Sequence, residues 1–187
     1  MQPLNAPPDL LRADNAVLVV VDMQEPFLRS LFERERVLHN VCTLLEGAKA
    51  LGVPVIATTQ YAERMGGPVT EVQERLYDAP VLDKMAFSCW GQPFQQELRR
   101  LNRRQILLCG VEAHICVGQT AHDLIVAGYE VHLAEEAVSS RSESNARVGF
   151  AKMRRSGVVP ASVESALYEL LGRAGTPAFR EILKLIK

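Results

Sequence analysis

The stretch QILLCGVEAHICVGQTAHDLIVAGYEVHLAEE, residues 105–136, contains two apolar runs separated by a helical pattern. The runs QILLCG (105–110) and YEVHLAEE (129–136) have the length and composition of β-strands. The pattern between them is typical of a helix, with Gly128 near its end. Neighbouring parallel strands need a long crossover connection, which is usually a helix. Two strands joined through a helix are therefore expected to lie parallel in one sheet. This segment therefore predicts an α/β fold.

The same alternation extends in both directions from this segment. Before it come the apolar runs AVLVVVD (16–22), VPVIATT (53–59) and APVLDK (79–84), with helical patterns after the first run and just before residue 105. After it, a helical pattern leads to GVVPASV, a candidate sixth short strand, and to two closing helices. We predict a three-layer sandwich, an open parallel sheet with helices on both faces. The patternless stretch 60–79 is interpreted either as a plain connection or as a mobile cover over the site.

Composition excludes several classes of protein. With 187 residues, of which 48% are hydrophobic, residues 1–187 are expected to form a single domain. A net charge of −1 gives no long-range attraction to nucleic acid or to an anionic membrane. The start MQPLNAPPDLLRADN has no signal-peptide pattern, and no apolar stretch reaches the ~18 residues of a membrane span, so we expect a cytoplasmic protein. The four cysteines have no C-x-x-C pair and are interpreted as free thiols.

Three strand ends carry residues that can act together. Asp22 closes the first run, Lys84 closes the third, and Cys116 lies about six residues beyond the fourth, in the first turn of the next helix. Singly, they have ordinary explanations: a turn residue, a solvated lysine and a buried thiol. The carboxyl ends of parallel strands lie close together, so an acid, a lysine and a thiol there predict an activated nucleophile with its base. A helix start and a lysine are expected to lower the pKa of the cysteine, and backbone amides at the turn to bind an oxyanion.

These residues stand in VVVDMQEPF, VLDKMAFSCW and CGVEAHICVGQTAHDLIVAGYEVHLAEEAVSSR, which together resemble the isochorismatase-like cysteine hydrolases. TTQY, FSCW and the ending FREILKLIK most resemble the isochorismatase domain-containing branch. The resemblance covers nearly the whole chain and implies a six-stranded parallel sheet and a homo-oligomer. It also implies a catalytic triad of Asp22, Lys84 and Cys116.

The resemblance further implies a non-proline cis peptide between Val111 and Glu112. That bond would aim the amides of Glu112 and Cys116 into an oxyanion hole. Gln24 and Phe27 match positions that flank the substrate pocket in this family. Their alternatives are a turn amide and a core aromatic.

The chain departs from the metal-dependent members of the superfamily. Nicotinamidases carry an Asp and two His after the second strand, whereas this chain has no histidine between His39 and His114. We therefore predict no catalytic metal and no other cofactor, and we do not favour nicotinamide. The leading hypothesis is a hydrolase acting through Cys116 on a small molecule, either an amide, a related C–N compound or a vinyl ether.

Other interpretations stay open. A catalytically silent binding or scaffold protein of the same fold is the main alternative. A zinc site from Cys109, His114, Cys116 and His122 matches no common zinc module. A dinucleotide site would need G-x-G-x-x-G where DMQEPF stands. Peroxide oxidation of Cys116 would be a side reaction.

Overall fold

The computed structural model describes residues 10–187, so most of the N-terminal stretch used to argue against a signal peptide lies outside the described residues. Within that range the strands are β1 (Ala16–Val21), β2 (Val55–Gln60), β3 (Val81–Lys84), β4 (Gln105–Val111), β5 (Glu130–Ser139) and β6 (Val159–Ala161). The helices are α1 (Glu25–Leu28), α2 (Arg34–Leu51), α3 (Ala62–Met65), α4 (Thr70–Leu76), α5 (Gln92–Leu101), α6 (Cys116–Val126), α7 (Glu143–Arg155), α8 (Val163–Leu171) and α9 (Pro177–Leu185).

The strands form one open sheet in the order β3-β2-β1-β4-β5-β6, and every paired neighbour is parallel. The crossovers run one way from β1 to β3 and the other way from β4 to β6, so helices cover both faces. On one face α2 packs against α4, α8 and α9, and on the other α6 packs against α7. The predicted three-layer α/β architecture is confirmed.

The core lies along the two central strands. Every residue of β1 and β4 is buried, which is why their apolar runs are continuous rather than alternating. At the end of β4, Gly110 has φ +108, and a Cβ there would lie 2.1 Å from the carbonyl oxygen of Val21. Only glycine allows this close approach of β4 to β1. The strand order reverses between β1 and β4, so this is the switch point where open α/β sheets bind ligands.

The stretch 60–79 contains two short helices, α3 and α4, which the sequence pattern did not predict. It is tied to the first strand's exit, because Val69 N donates to Met23 O (2.8 Å) and Gln24 forms an isolated bridge with Pro68. Helix α4 packs against α2. None of the helices within residues 10–187 is long and apolar enough to cross a membrane.

Candidate active site

Asp22 directly follows β1 and is fully buried. Its φ of +50 lies in the left-handed region, which aspartate adopts more readily than most residues. The backbone N–H of Asp22 donates to Thr58 O on β2 (3.2 Å), and the Thr58 hydroxyl donates to Asp22 Oδ1 (2.8 Å). The carboxylate is therefore oriented by the neighbouring strand, while its second oxygen faces the centre of the site.

Lys84 is the last residue of β3, and its ammonium group reaches across the end of β2 to Asp22. Lys84 Nζ lies 2.6 Å from Asp22 Oδ2, 2.8 Å from Gln60 Oε1 and 3.4 Å from Ala86 O. The two side chains of the ion pair are 10% and 1% exposed. Because the pair is removed from water, its contribution to stability depends on good geometry far more than that of a surface ion pair does.

Cys116 is the first residue of α6 and is 7% exposed. Its thiol lies within electrostatic reach of the Asp22 carboxylate and the Lys84 ammonium group. Burial, and after it the negative charge of Asp22, raise the pKa of Cys116 to about 12, although the ammonium of Lys84 acts in the opposite direction. The expected lowering of this pKa was wrong, because desolvation and the adjacent carboxylate outweigh the lysine. At rest the group is a neutral thiol beside a carboxylate.

The turn from β4 to α6 carries two uncommitted backbone donors. The bond between Val111 and Glu112 is cis. Glu112 O accepts from Ile115 N (3.0 Å) and Val117 N (3.2 Å), but within residues 10–187 the amide N–H groups of Glu112 and Cys116 meet no acceptor. Amides that lack an intrahelical partner at a helix start can bind an anionic oxygen.

Helix α7 lies directly on this turn. A Cβ added to Gly149 would come within 2.7 Å of the Ala113 backbone and 2.9 Å of His114 N. A glycine at this point lets the helix support the turn at backbone distance. The turn is thus held between the sheet and α7.

The side chain of Glu112 is engaged on the far side of the turn. Arg141 binds it with two side-chain contacts, Nε to Oε1 (3.0 Å) and Nη2 to Oε2 (2.8 Å), and the Arg141 amide donates to Oε1 (3.1 Å). Burial would raise the pKa of Glu112, but these hydrogen bonds hold it below its usual value. Glu112 and Arg141 therefore form a second ion pair, at the turn that precedes Cys116.

Gln24 and Phe27 differ in how the structure uses them. Gln24 is fully buried, and its amide donates to Gln60 O (3.2 Å) and Gly66 O (2.7 Å) while its Oε1 accepts from Gln60 N (2.7 Å). It fastens the beginning of the 60–79 stretch to the site. Phe27 is half-buried and packs against the hydrophobic core.

Sequence reasoning missed the residues that position the acid and the lysine. Thr58 and Gln60 are two apart on β2, so both side chains point to the same side of the strand. Thr58 Oγ1 also lies 3.6 Å from the Cys89 thiol, and Cys89 N donates to Thr120 Oγ1 (2.9 Å). Polar residues at the end of a buried run in VIATTQ were the available signal.

The four residues of the zinc hypothesis lie in different settings. The Cys109 thiol donates to Val19 O inside the sheet (3.6 Å), and His114 Nδ1 contacts Ser140 Oγ (2.9 Å). His122 is exposed on α6, whereas Cys116 faces Asp22. Over the described chain, no group of three or more His, Cys, Asp or Glu side chains is placed to hold a metal.

With this geometry established, comparison with known proteins identifies the family. A family model described as the Isochorismatase domain matches residues 16–165. The chain belongs to the isochorismatase family. Its members are hydrolases, so the α/β fold found here is that of a hydrolase family.

Similar proteins match over almost their full length. The secreted isochorismatase effector Isc1 of Phytophthora sojae is 43% identical over 178 residues, which cover 92% of this chain and 85% of that protein. Isochorismatase domain-containing protein 2 of Danio rerio is 35% identical over 177 residues, covering 94% and 89%. The solved structure of the MAR1 ribonuclease of Caenorhabditis elegans superposes with a TM-score of 0.91 at 32% identity, covering 95% and 92%.

Proposed function

We propose that this chain is a hydrolase in which Cys116 attacks a small amide, a related C–N compound or a vinyl ether, with no metal or other cofactor. One observation carries the proposal. Lys84 Nζ lies 2.6 Å from Asp22 Oδ2, and both charges of this ion pair act on the thiol of Cys116. Membership of a hydrolase family supports the reaction class.

In the first half-reaction on an amide, the sulfur of Cys116 adds to the carbonyl carbon while Asp22 accepts the thiol proton as general base. The carbonyl electron pair moves onto oxygen, where the amides of Glu112 and Cys116 are available to stabilise the charge. When the C–N bond breaks, Asp22 gives its proton to the leaving nitrogen. The product on the enzyme is a thioester.

In the second half-reaction, water attacks the thioester and Asp22 takes one of its protons. The C–S bond then breaks and Asp22 returns its proton to the sulfur, so that the net reaction is amide plus water giving acid plus amine. Lys84 holds Asp22 in place through their ion pair. A thiol with a raised pKa suits this scheme, since the proton stays on sulfur until a substrate is present to be attacked.

The side chain that ends β2 supports a reaction without metal. In this chain the last residue of β2, Gln60, uses its amide to bind Lys84 and the carbonyl of Met85 (2.8 Å each). Because the side-chain amide of Gln60 already binds Lys84, it is poorly placed to serve as a metal ligand. Turnover should survive dialysis against a chelator, and loss of turnover that zinc or manganese restores would contradict this part of the proposal.

Replacement of the nucleophile tests the function. Purified protein would be screened with small amides, ureas and vinyl ethers, and any product should disappear in Cys116→Ala and Cys116→Ser. Cys42→Ala, which alters a half-buried thiol on α2, is the matched control and should retain turnover. Tight binding of a compound without turnover would instead favour the silent binding protein.

The name of the C. elegans relative raises ribonuclease activity as a second candidate. Single-stranded RNA therefore belongs in the same screen. Cleavage that persists in Cys116→Ala would separate such an activity from the thiol chemistry. The proposal expects no cleavage that depends on Cys116.

We also propose a cytoplasmic homo-oligomer. All four cysteines are free thiols, which supports a reducing compartment. One relative is named as a secreted effector, so fractionation of the source cells is the deciding measurement for location. Sedimentation of the purified chain tests the assembly.

A further inference from the structure

We infer that the site at Cys116 accepts an uncharged acyl compound, a carboxamide or a similarly neutral carbonyl compound, and rejects anionic substrates. This inference rests on the proposed function and selects among its substrate classes. It follows from the pairing of the charged groups at the site, because each of them already has a partner within the protein.

Lys84 has no hydrogen left for a substrate. An ammonium group has three donors, and here they face Asp22 Oδ2, Gln60 Oε1 and Ala86 O. The carboxylate of Asp22 also neutralises its charge. A substrate carboxylate placed beside Cys116 would meet the negative charge of Asp22 without gaining an ion pair from this lysine.

The charge of Arg141 is paired as well, although only two of its five N–H donors are used within the described residues. It donates to both oxygens of Glu112 at 3.0 and 2.8 Å, so this second ion pair, at the turn before Cys116, has no net charge either.

What the site leaves free is a pair of donors. The N–H groups of Glu112 and Cys116 have no acceptor within the described residues, and two donors match the two lone pairs of one carbonyl oxygen. Such donors gain most when negative charge develops on that oxygen during the reaction. A neutral carbonyl compound therefore acquires its charge only in the transition state, whereas a carboxylate brings a charge that must be desolvated on binding.

Two alkylating reagents of similar size test the charge preference without a known substrate. Iodoacetamide is neutral and iodoacetate is anionic, and peptide mass spectrometry measures the alkylation rate of each cysteine separately. At about pH 8, where histidines are neutral, the rate ratio of iodoacetamide to iodoacetate should be larger at Cys116 than at Cys42 by about tenfold, equivalent to about 1.4 kcal/mol. Cys42 in the same sample corrects for intrinsic reagent reactivity.

Two variants of the second ion pair provide matched controls. Glu112→Gln frees the charge of Arg141 and should reduce the preference for iodoacetamide at Cys116 severalfold. Arg141→Gln leaves Glu112 unpaired and should increase it. The ratio at Cys42 should not change in either variant.

Equal ratios at Cys116 and Cys42 would overturn the inference. So would a faster reaction of Cys116 with iodoacetate that is lost in Arg64→Ala, since that result would mean that the exposed arginine of α3 binds anions at the site. The proposed function has its own readout in Cys116-dependent turnover. Turnover of anionic compounds contradicts the charge inference alone, whereas a clear reagent preference with no turnover of any compound contradicts the hydrolase proposal alone.

Discussion

The carboxyl edge and the amino edge of the sheet both bury polar side chains, but they use them differently. At the amino edge Gln105 is 1% exposed, and its amide accepts from Arg12 N (2.9 Å) and donates to Leu10 O (3.0 Å) and Glu130 Oε2 (3.2 Å). These bonds tie the start of the described chain to β4 and β5. At the carboxyl edge, the bonds among Asp22, Lys84 and their neighbours leave the thiol of Cys116 and, within the described residues, two amide donors available to a substrate.

The comparison shows what separates a structural polar cluster from a site. A buried cluster stabilises the fold when each of its groups has a partner. In a reactive centre the supporting groups also need hydrogen-bond partners. A few donors, however, must be left that only a substrate can pair with. Changes at the carboxyl edge should therefore alter chemistry, and changes at the amino edge should alter only stability.

The largest effect is expected from Asp22→Asn. Loss of the general base should lower turnover by about two to four orders of magnitude. The same change removes the charge that raises the pKa of Cys116 and leaves the ammonium of Lys84 beside the sulfur. The thiolate fraction at neutral pH should therefore increase, and iodoacetamide should alkylate Cys116 severalfold faster although turnover is lost.

Asp83→Asn is the matched control for this prediction. Asp83 lies one residue before Lys84, and it accepts from the Thr59 hydroxyl and from Ala62 N rather than contacting the thiol. Turnover and alkylation should stay near the wild-type values. If Asp22→Asn slows both turnover and alkylation, the carboxylate has a structural role and the base assignment is wrong.

Lys84→Met tests the buried ion pair itself. The variant leaves Asp22 charged, buried and unpaired, which should lower the free energy of unfolding by about 3–5 kcal/mol. The double variant Asp22→Asn/Lys84→Met removes both charges and should recover most of that loss. Urea unfolding of the four proteins in this cycle measures the coupling, and additive losses would mean that the two groups do not interact.

The sequence predicted the parts of the fold that depend on local pattern. Gly52, with φ +66, ends α2 where the pattern ended, and Cys116 begins its helix as expected. The short helices α3 and α4 were missed because few of their residues are buried, so no apolar periodicity marks them. Their position depends on the contacts of Gln24 and Val69, which join residues far apart in the chain.

The candidate site was predicted less completely than the fold. Asp22, Lys84 and Cys116 could be placed together from the carboxyl ends of parallel strands. The pKa of Cys116 could not be predicted, because its direction depends on burial and on the distance to Asp22 rather than on the helix start. The pairing of Glu112 with Arg141 links residues 29 positions apart and has no local signal.

Thr58→Val is a finer test of how the carboxylate is oriented. The change removes the hydroxyl that donates to Asp22 Oδ1 but preserves the shape of the side chain. Turnover should fall by about tenfold, the equivalent of one hydrogen bond of about 1.4 kcal/mol to a charged group, with KM little changed. Thr59→Val, on the opposite side of the same strand, loses an equally buried hydroxyl that binds Asp83 and should keep its turnover. Equal losses of turnover in both variants would indicate general damage to β2.

The smallest effect is expected at His132 on β5, away from the site. Its Nε2 is buried and meets no partner within residues 10–187, and burial lowers its pKa although the charges of Glu169 and Glu130 act in the opposite direction. At pH values above 6.5, the pKa of the imidazole in the unfolded chain, the ring is neutral in both the folded and the unfolded state. Its burial then does not lower the free energy of unfolding through protonation. As the pH falls below that value, the unfolded chain takes up the proton first, so the free energy of unfolding should decrease.

Urea unfolding at about pH 7 and about pH 5.5 measures this decrease, which for one proton cannot exceed about 1.4 kcal/mol per pH unit. His132→Leu should lose less stability than the wild type between the two pH values, whereas His122→Gln, at an exposed histidine of α6, should behave as the wild type does. An unchanged pH dependence in His132→Leu would mean that this imidazole titrates alike in the folded and unfolded chain, so that burial does not lower its pKa. Because His132 has no contact with the thiol or its carboxylate, a change in the pH profile of turnover in the same variant would contradict the separation of the two edges.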